Sequence, residues 1–498
     1  MTRMNAVRRF SVLLVAVLVS LGTGLGTVSA SDTLELSLAE AVRLALDKNL
    51  GLRLERQEVR SAEGRLESEH GSFDTILSAS AATSESRFEN TNVLLNRDAV
   101  SERSADWGAS ASKTFVTGTQ LTLAWENDRS QSSPANALFD PTYSSQLQLN
   151  LIQPLLKGRG MDRQTFGLRA AENLVQAAEF QVDDRAARLA ADVKKAYWQV
   201  LLALEDAEVR RLSLELAQKL LEETRARIDA GVLAPVDIYQ PEAEVARREE
   251  LLIRGRKATA DAEDQLRVLL NLEDWSGRLI LTDKPTPGTP EPVMDEVVQT
   301  ALEARKDIKA AEARLVSSRL VREQAEDSVR PSLNLVGGAG VSGLDDNYGG
   351  AVDDYTGESY YSWNIGLQLT VPLENRAAKG EAARVRSEEQ KAAIQLELLK
   401  QNVTIEARSA VRSAETAGKA LVAAQKSSLA FKKRLETEQA RFEVGLSTAN
   451  DVLQAQDEYA QALISEQNAL VGLENALADL DRVQGVISIA EGAPNRQL

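Results

Sequence analysis

The sequence repeats itself, and the two copies together cover most of its 498 residues. A segment that ends at Pro154 returns with its end at Pro372, and residues 227–238 return as residues 441–452. Each copy has the pattern of a helix–strand–strand–helix unit that closes with a sharp turn. Two copies in the same order indicate an architecture built by duplication. Such a chain is poorly suited to be an enzyme with one localised site.

The first thirty residues have the pattern of a secretory signal peptide. A basic start precedes an apolar stretch at residues 10–19, and small residues at 28–30 form a cleavage site. We therefore predict a signal peptide at residues 1–30, with an uncleaved membrane anchor as the alternative. No later stretch approaches the roughly 18 consecutive apolar residues typical of a transmembrane helix. If the chain crosses a membrane, it must do so as strands.

Composition and motifs argue against several other functions. The net charge of -16 is unfavourable for nucleic-acid binding, which needs clustered cations. The chain has no cysteine, and His70 has no partners at zinc-ligand spacing. Residues 338–343 match G-x-G-x-x-G, but we expect a loop rather than a helix after them, which would leave phosphates without a helix N-terminus. We therefore predict no enzymatic activity, no cofactor and no metal.

Two proline-free stretches predict long helices over residues 163–228 and 377–441, where apolar residues recur at helical spacing. A helix of about 65 residues is roughly 100 Å long, so its apolar stripe must be buried against other helices. Gly231 and Gly445 are expected to end these helices as C-terminal caps. The predicted return helices are residues 238–271 and 452–486.

Apolar and polar residues alternate within segments 72–155 and 331–373, which predicts strands with one apolar and one polar face. The residues assigned to the apolar, lipid-facing side are Trp125, Leu147, Leu149, Trp363, Ile365 and Leu367. A soluble sandwich gives the same alternation, but these segments hold too few strands to close a two-sheet core alone. They are also rich in aromatic residues, as an aromatic girdle requires. The pattern favours a membrane β-barrel completed by other copies of the chain.

The order and spacing of these segments resemble the TolC-like outer-membrane efflux proteins. The resemblance rests on three features: the end of the predicted strand at residues 367–373, the two turns in which an aspartate follows a glycine by six residues, and the segment that begins at Leu36. It covers about residues 34–487. It implies a mainly α fold with a membrane β-barrel part. In that fold, three chains would share one outer-membrane barrel that is continuous with a periplasmic α-helical barrel.

The resemblance also implies a division of the chain. The expected parts are the signal peptide (1–30), a first repeat (31–271, with strands within 72–155 and helices within 163–271), a linker that helps build a belt around the helices (272–297), a second repeat (298–487, with strands within 331–373 and helices within 376–487) and a C-terminal tail (488–498).

The implied function is that of an outer-membrane exit duct in a tripartite efflux or type I secretion system. It would conduct cargo passively by opening and closing its periplasmic helical tips. The implied partners are two further copies of the chain, a periplasmic adaptor, an inner-membrane RND or ABC transporter and outer-membrane lipid. A soluble periplasmic coiled-coil scaffold is the alternative.

The functional residues of the family are expected at the helical turns. The resemblance assigns adaptor docking to Gly231, Val232, Gly445, Leu446 and Thr448, with helix capping as the alternative role of the glycines. It assigns Asp237 and Asp451 to the periplasmic aperture, with N-capping as the alternative for Asp237. The chain departs from the family pattern at three positions: Gln454 replaces the second aperture aspartate, and Ser447 and Phe442 replace the tip arginine and tyrosine.

The first copy is longer than the second. Leu77 and Leu149 are 72 positions apart, whereas the equivalent Leu333 and Leu367 are 34 apart, a difference of 38. The extra residues include a hairpin signal around Gly118. They form either an extracellular lid or two more strands, which would give eighteen strands in a trimer rather than twelve. We favour the lid, because a wider barrel would no longer match the helical barrel below it.

Overall fold

The computed structural model describes residues 34–89, 99–133, 138–275, 277–286, 288, 291–355 and 360–486. The predicted signal peptide and the C-terminal tail lie outside these ranges.

The described residues form long helices and one large sheet. The α-helices are α1 (Leu38–Lys48), α2 (Leu50–His70), α3 (Met161–Gln164), α4 (Phe166–Asp229), α5 (Tyr239–Leu270), α6 (Met294–Ala304), α7 (Lys306–Ser328), α8 (Tyr348–Asp353), α9 (Arg376–Glu443) and α10 (Ala449–Val483). The strands are β1 (Leu34–Leu36), β2 (Thr75–Glu89), β3 (Ala99–Thr114), β4 (Gln120–Ser133), β5 (Thr142–Pro154), β6 (Leu279–Leu281), β7 (Ser332–Asp345) and β8 (Tyr361–Thr370).

The order of elements repeats as the sequence predicts. Two helices lead into strands, and a long helix and a return helix follow, first in α1 to α5 and again in α6 to α10. The long helices α4 and α9 contain 64 and 68 residues, which corresponds to about 100 Å each. Both bury many alanines, so neighbouring helices pack closely along them. All four long helices begin and end within three residues of their predicted bounds.

None of the helices in the described ranges has the length and hydropathy that a membrane-spanning helix requires.

The largest buried core surrounds the middle of α4. Tyr197 is fully buried there, and its hydroxyl donates to the Leu36 carbonyl oxygen at 3.0 Å and accepts the Asp283 backbone N–H at 3.1 Å. These bonds tie α4 to β1 and to the segment after β6. Strands β1 and β6 themselves pair as a short parallel sheet. The predicted linker is therefore joined to the start of the described chain. Its last residues already belong to a helix, because α6 begins at Met294.

The six long strands form one antiparallel sheet in the order β2-β3-β4-β5-β7-β8. The hairpin predicted around Gly118 is present, and Gly118 adopts a φ of 88° in its turn. Strands β3 and β4 fill the space between β2 and β5 with continuous register on both sides. The preference for a lid is therefore wrong. The extra residues alternate like the other strands, and ladder pairing satisfies the backbone groups on both sides of β3 and β4, whereas a lid hairpin would leave the outer side of each strand to solvent.

The glycine-rich motif at residues 338–343 lies inside β7, so it forms no phosphate-binding loop. The expected loop after it is interrupted by the short helix α8, contrary to the prediction. A Cβ at Gly343 would overlap the Ala351 carbonyl oxygen, and one at Gly350 would overlap the Asp345 carboxylate. These two glycines therefore allow α8 to pack directly on the sheet.

Candidate functional site: sheet faces and helical turns

The sheet has two chemically different faces. In all five strand pairs, odd-numbered residues lie opposite odd-numbered residues, and no bulge interrupts the register. The odd-numbered residues of all six strands therefore share one face, which we call the odd face. The even-numbered residues share the other, which we call the even face. The odd face carries all six residues predicted to contact lipid: Trp125, Leu147, Leu149, Trp363, Ile365 and Leu367. Trp125 lies opposite Leu147, and Ala339 separates Leu149 from Trp363. All six side chains are exposed in the single chain.

The apolar part of the odd face has a limited height. Along β8 it runs from Tyr361 to Leu369, nine residues whose eight steps span about 27 Å at ~3.4 Å per residue. Towards the far end of the sheet the odd face becomes polar and is covered by α8. There the Tyr355 hydroxyl hydrogen-bonds to the buried Ser145 hydroxyl, and the Trp107 and Tyr348 rings lie 5.4 Å apart. The apolar band is therefore close to the ~25 Å expected for lipid contact.

The sheet is open within one chain. Its edge strands are β2 and β8, with 15 and 10 residues. In the described part of the chain, neither pairs with another strand on its outer side. Long edges of this kind present unpaired N–H and C=O groups to any available strand.

The helical turns are built around two left-handed glycines. Gly231 and Gly445 have φ values of 71° and 75°. Beside them, the backbone N–H groups of Val232 and Leu446 donate to carbonyl oxygens five residues earlier, at 2.9 and 2.8 Å. This is the Schellman arrangement, so both glycines cap helices. Val232 and Leu446 are 69% and 71% exposed, so each turn presents an apolar side chain to solvent.

The residues assigned to the aperture also serve as caps. Asp451 accepts hydrogen bonds from the Thr448 N–H and hydroxyl at 2.9 and 2.7 Å, and Thr448 is the N-cap of α10. The Thr448 hydroxyl and N–H hold the pKa of the exposed Asp451 carboxyl below its usual range. Asp237 accepts the Ala234 backbone N–H at 3.1 Å. The three hydrogen bonds that Asp451 accepts from Ser447 and Thr448 all end on Oδ2.

A contact between the two hairpins was not predicted from the sequence. The Arg227 guanidinium lies 4.2 Å from the centre of the Phe442 ring and donates to the Phe442 carbonyl oxygen at 3.2 Å. Phe442 itself is buried. The repeat aligns Arg227 with Arg441, but Arg441 pairs with Glu438 of its own helix. The two aligned arginines therefore have different partners, which the repeat in the sequence did not indicate.

A second unpredicted residue, Arg248, joins three helices. Its side chain is 2% exposed and forms ion pairs with Glu244 at 2.7 Å and Asp457 at 2.8 Å. It also donates to the Ser213 carbonyl oxygen and the Gln456 side chain, so α5 is bonded to both α4 and α10. Burial raises the pKa of the Glu244 carboxyl, but hydrogen bonds from Arg247 and Arg248 outweigh this effect and lower it.

A family model described as "Outer membrane efflux protein" matches residues 120–272 and 297–486, which is more than half of the chain. The chain belongs to this family. The predicted resemblance is therefore confirmed, and so is the mainly α fold with a membrane β part. As an outer membrane efflux protein, it lies in the outer membrane with its helices in the periplasm, as predicted. The family supports a channel over the alternative of a soluble scaffold.

Individual outer-membrane proteins are also similar to this chain, over a smaller share of its length than the family model matches. TolC of Vibrio cholerae serotype O1 is 26% identical over 307 residues, which cover 58% of this chain and 65% of TolC. TolC of Escherichia coli K12 is 24% identical over 301 residues, which cover 56% of this chain and 57% of TolC. The matched part of this outer membrane efflux protein thus spans less than two thirds of either relative.

Solved structures of outer-membrane channels share the fold. The OprN channel superposes with a TM-score of 0.67 at 18% identity, covering 90% of this chain and 89% of OprN. The Campylobacter jejuni CmeC channel gives a TM-score of 0.64 at 16% identity, covering 90% of this chain and 85% of CmeC. At these identities the likeness establishes the architecture of this outer membrane efflux protein.

Proposed function

We propose that the protein is the outer-membrane exit duct of a tripartite efflux or type I secretion system, and that three chains close one barrel. The observation that carries this proposal is the open sheet. Strand β2 of one chain can pair with β8 of the next, and repetition of this pairing around a three-fold axis leaves no free edge. With six strands from each chain, the barrel has about eighteen strands, within the range of bacterial outer-membrane barrels.

In this arrangement the odd face meets lipid and the even face lines a water-filled lumen. The apolar band of the odd face supports this orientation, as do the small and polar residues of the even face, among them Ser80, Gln148, Gly338 and Asn364. The hairpins α4–α5 and α9–α10 extend the duct into the periplasm. Cargo moves passively, and an inner-membrane RND or ABC transporter supplies the energy.

Envelope fractionation followed by semi-native electrophoresis tests the duct. The expected result is a trimer in the outer-membrane fraction that dissociates to monomer on boiling, as a closed barrel with continuous strand pairing would. A monomer or dimer recovered from the soluble periplasmic fraction would contradict the proposal.

The helical turns are proposed to dock a periplasmic adaptor through Gly231, Val232, Gly445, Leu446 and Thr448. The apolar side chains of Val232 and Leu446 support this role, since most of the surface of each is exposed to solvent. Thr448 contributes by holding the start of α10 in place.

Two substitutions of Gly445 separate docking from capping. Asparagine tolerates a positive φ, whereas valine does so at a cost of about 1–2 kcal/mol. Among the described residues outside the adjacent positions, no atom lies within 4 Å of a Cβ added at Gly445, so the Cβ itself has room. We expect Gly445→Asn to keep the thermal stability of the trimer but to reduce co-purification with an adaptor co-expressed from the same organism. We expect Gly445→Val to lose both. Undiminished co-purification of the Asn variant would leave Gly445 with a capping role alone.

Asp237 and Asp451 are proposed to line the periplasmic mouth, where a ring of three Asp451 carboxylates can hold a cation and so help to keep the mouth closed. Asp451→Asn removes the charge and keeps an oxygen that can accept the capping bonds. We therefore expect a higher single-channel conductance in planar bilayers. Asp261→Asn is the control, because Asp261 is an exposed residue of α5 away from the turns. Equal conductance of Asp451→Asn and wild type would remove Asp451 from the mouth.

A further inference from the structure

The charges of the six long strands are divided unequally between the two faces. All four basic residues of these strands lie on the odd face: Arg87, Arg103, Lys113 and Arg129. Four of the seven acidic residues lie on the even face: Glu102, Asp106, Glu126 and Asp128. The even face of the described strands therefore carries negative charge and no basic residue.

The two faces also differ in how their charges are compensated. On the odd face, Arg103 pairs with Glu85 at 3.0 Å. On the even face, the four carboxylates form no ion pair with any described residue. Asp106 instead lies directly opposite Asp128 on the neighbouring strand. Like charges in this position destabilise a sheet, so folding stability alone does not account for the pair.

The acidic residues of the even face belong to the extra residues of the first repeat. All four carboxylates belong to β3 and β4, the two strands that have no counterpart in the second repeat. The even-face residues of β5, β7 and β8 are uncharged, and their polar members include Gln146, Gln148, Asn150, Asn334, Asn364 and Gln368.

We infer that the β3–β4 insertion makes the barrel lumen selective for cations and for cargo of net positive charge. This inference rests on the proposed function, which turns the even face inward. Three chains then place about twelve carboxylates around one water-filled passage with low-dielectric walls, which concentrate the field and enrich cations. The Debye length is about 10 Å at 0.1 M salt and 3 Å at 1 M. The field therefore reaches into the lumen at low salt and is confined to the wall at high salt.

The test is the reversal potential of purified trimers in planar bilayers under a KCl gradient. Every variant carries Asp451→Asn, so that charge at the proposed periplasmic mouth does not determine the result. The test variant adds Glu102→Gln, Asp106→Asn, Glu126→Gln and Asp128→Asn. A second variant adds only Asp106→Asn and Asp128→Asn, which relieves the like-charge pair and should not impair folding. The control adds Glu85→Gln and Glu89→Gln on the odd face.

We expect the permeability ratio of K⁺ to Cl⁻ at 0.1 M salt to fall several-fold in the four-residue variant and by a smaller factor in the two-residue variant. The control should keep the parent ratio, and the differences should shrink at 1 M salt. An unchanged ratio in both even-face variants would overturn the inference while leaving the duct intact. Absence of channels from the wild-type protein would instead contradict the duct, and the inference with it.

Discussion

Leu149→Arg is expected to prevent assembly of the trimer in the outer membrane. Leu149 lies on the odd face in the centre of the sheet, opposite Leu123 on one side and Ala339 on the other. An arginine on the lipid face near the bilayer midplane costs about 2–4 kcal/mol. Three copies per barrel multiply this cost to roughly 6–12 kcal/mol, because the same position recurs in each chain. Semi-native electrophoresis of outer-membrane fractions measures the remaining trimer.

The matched control is Gln148→Arg. Gln148 is the preceding residue of the same strand and lies on the even face, opposite Ala124 and Gly340. An arginine there extends into the proposed lumen and stays hydrated, so trimer yield should remain close to that of the wild type. Equal losses in the two variants would contradict the assignment of the odd face to lipid.

Arg248→Ala is expected to produce the largest loss of stability in the helical part. Removal of one partner from a buried ion pair typically costs about 3–5 kcal/mol, because the remaining charges are left uncompensated. Here Glu244 and Asp457 would keep the half-exposed Arg247 as an ion-pair partner, which places the expected cost at the lower end of this range. The bonds that Arg248 itself forms from α5 to α4 and α10 would be lost. We expect a lower Tm of the detergent-solubilised trimer and faster proteolysis of α5 near the turns.

Arg254→Ala provides the comparison on the same helix. Arg254 is 75% exposed and pairs with Glu250, a surface ion pair worth about 0–1 kcal/mol. The Tm of Arg248→Lys should lie between those of the two alanine variants, since lysine keeps the positive charge but lacks the several N–H donors with which the guanidinium bonds its partners. If Arg248→Ala and Arg254→Ala melt at the same temperature, the buried pair does not stabilise the hairpins.

Much of this fold follows from short-range patterns in the sequence. Helical periodicity located the four long helices to within three residues, three of them in proline-free stretches, because each turn of helix depends on neighbours four residues away. Gly231 and Gly445 were placed correctly as caps, because few other residues adopt a positive φ without strain. Strict alternation put all six predicted lipid-facing residues on one face, since successive strand residues point to opposite sides.

The tertiary structure decided which of these elements meet. A lid hairpin and a barrel hairpin have the same local pattern, so only the pairing of β3 with β2 and of β4 with β5 showed that the extra residues enlarge the sheet. Arg248 belongs to a charged run that resembles a solvated helix face, yet its partner Asp457 lies 209 residues away. The helices, the turns and the two-sided strands could be predicted from the sequence, because they depend on local backbone preferences. The width of the sheet and the bonds between the hairpins depend on contacts between distant segments, which local patterns do not encode.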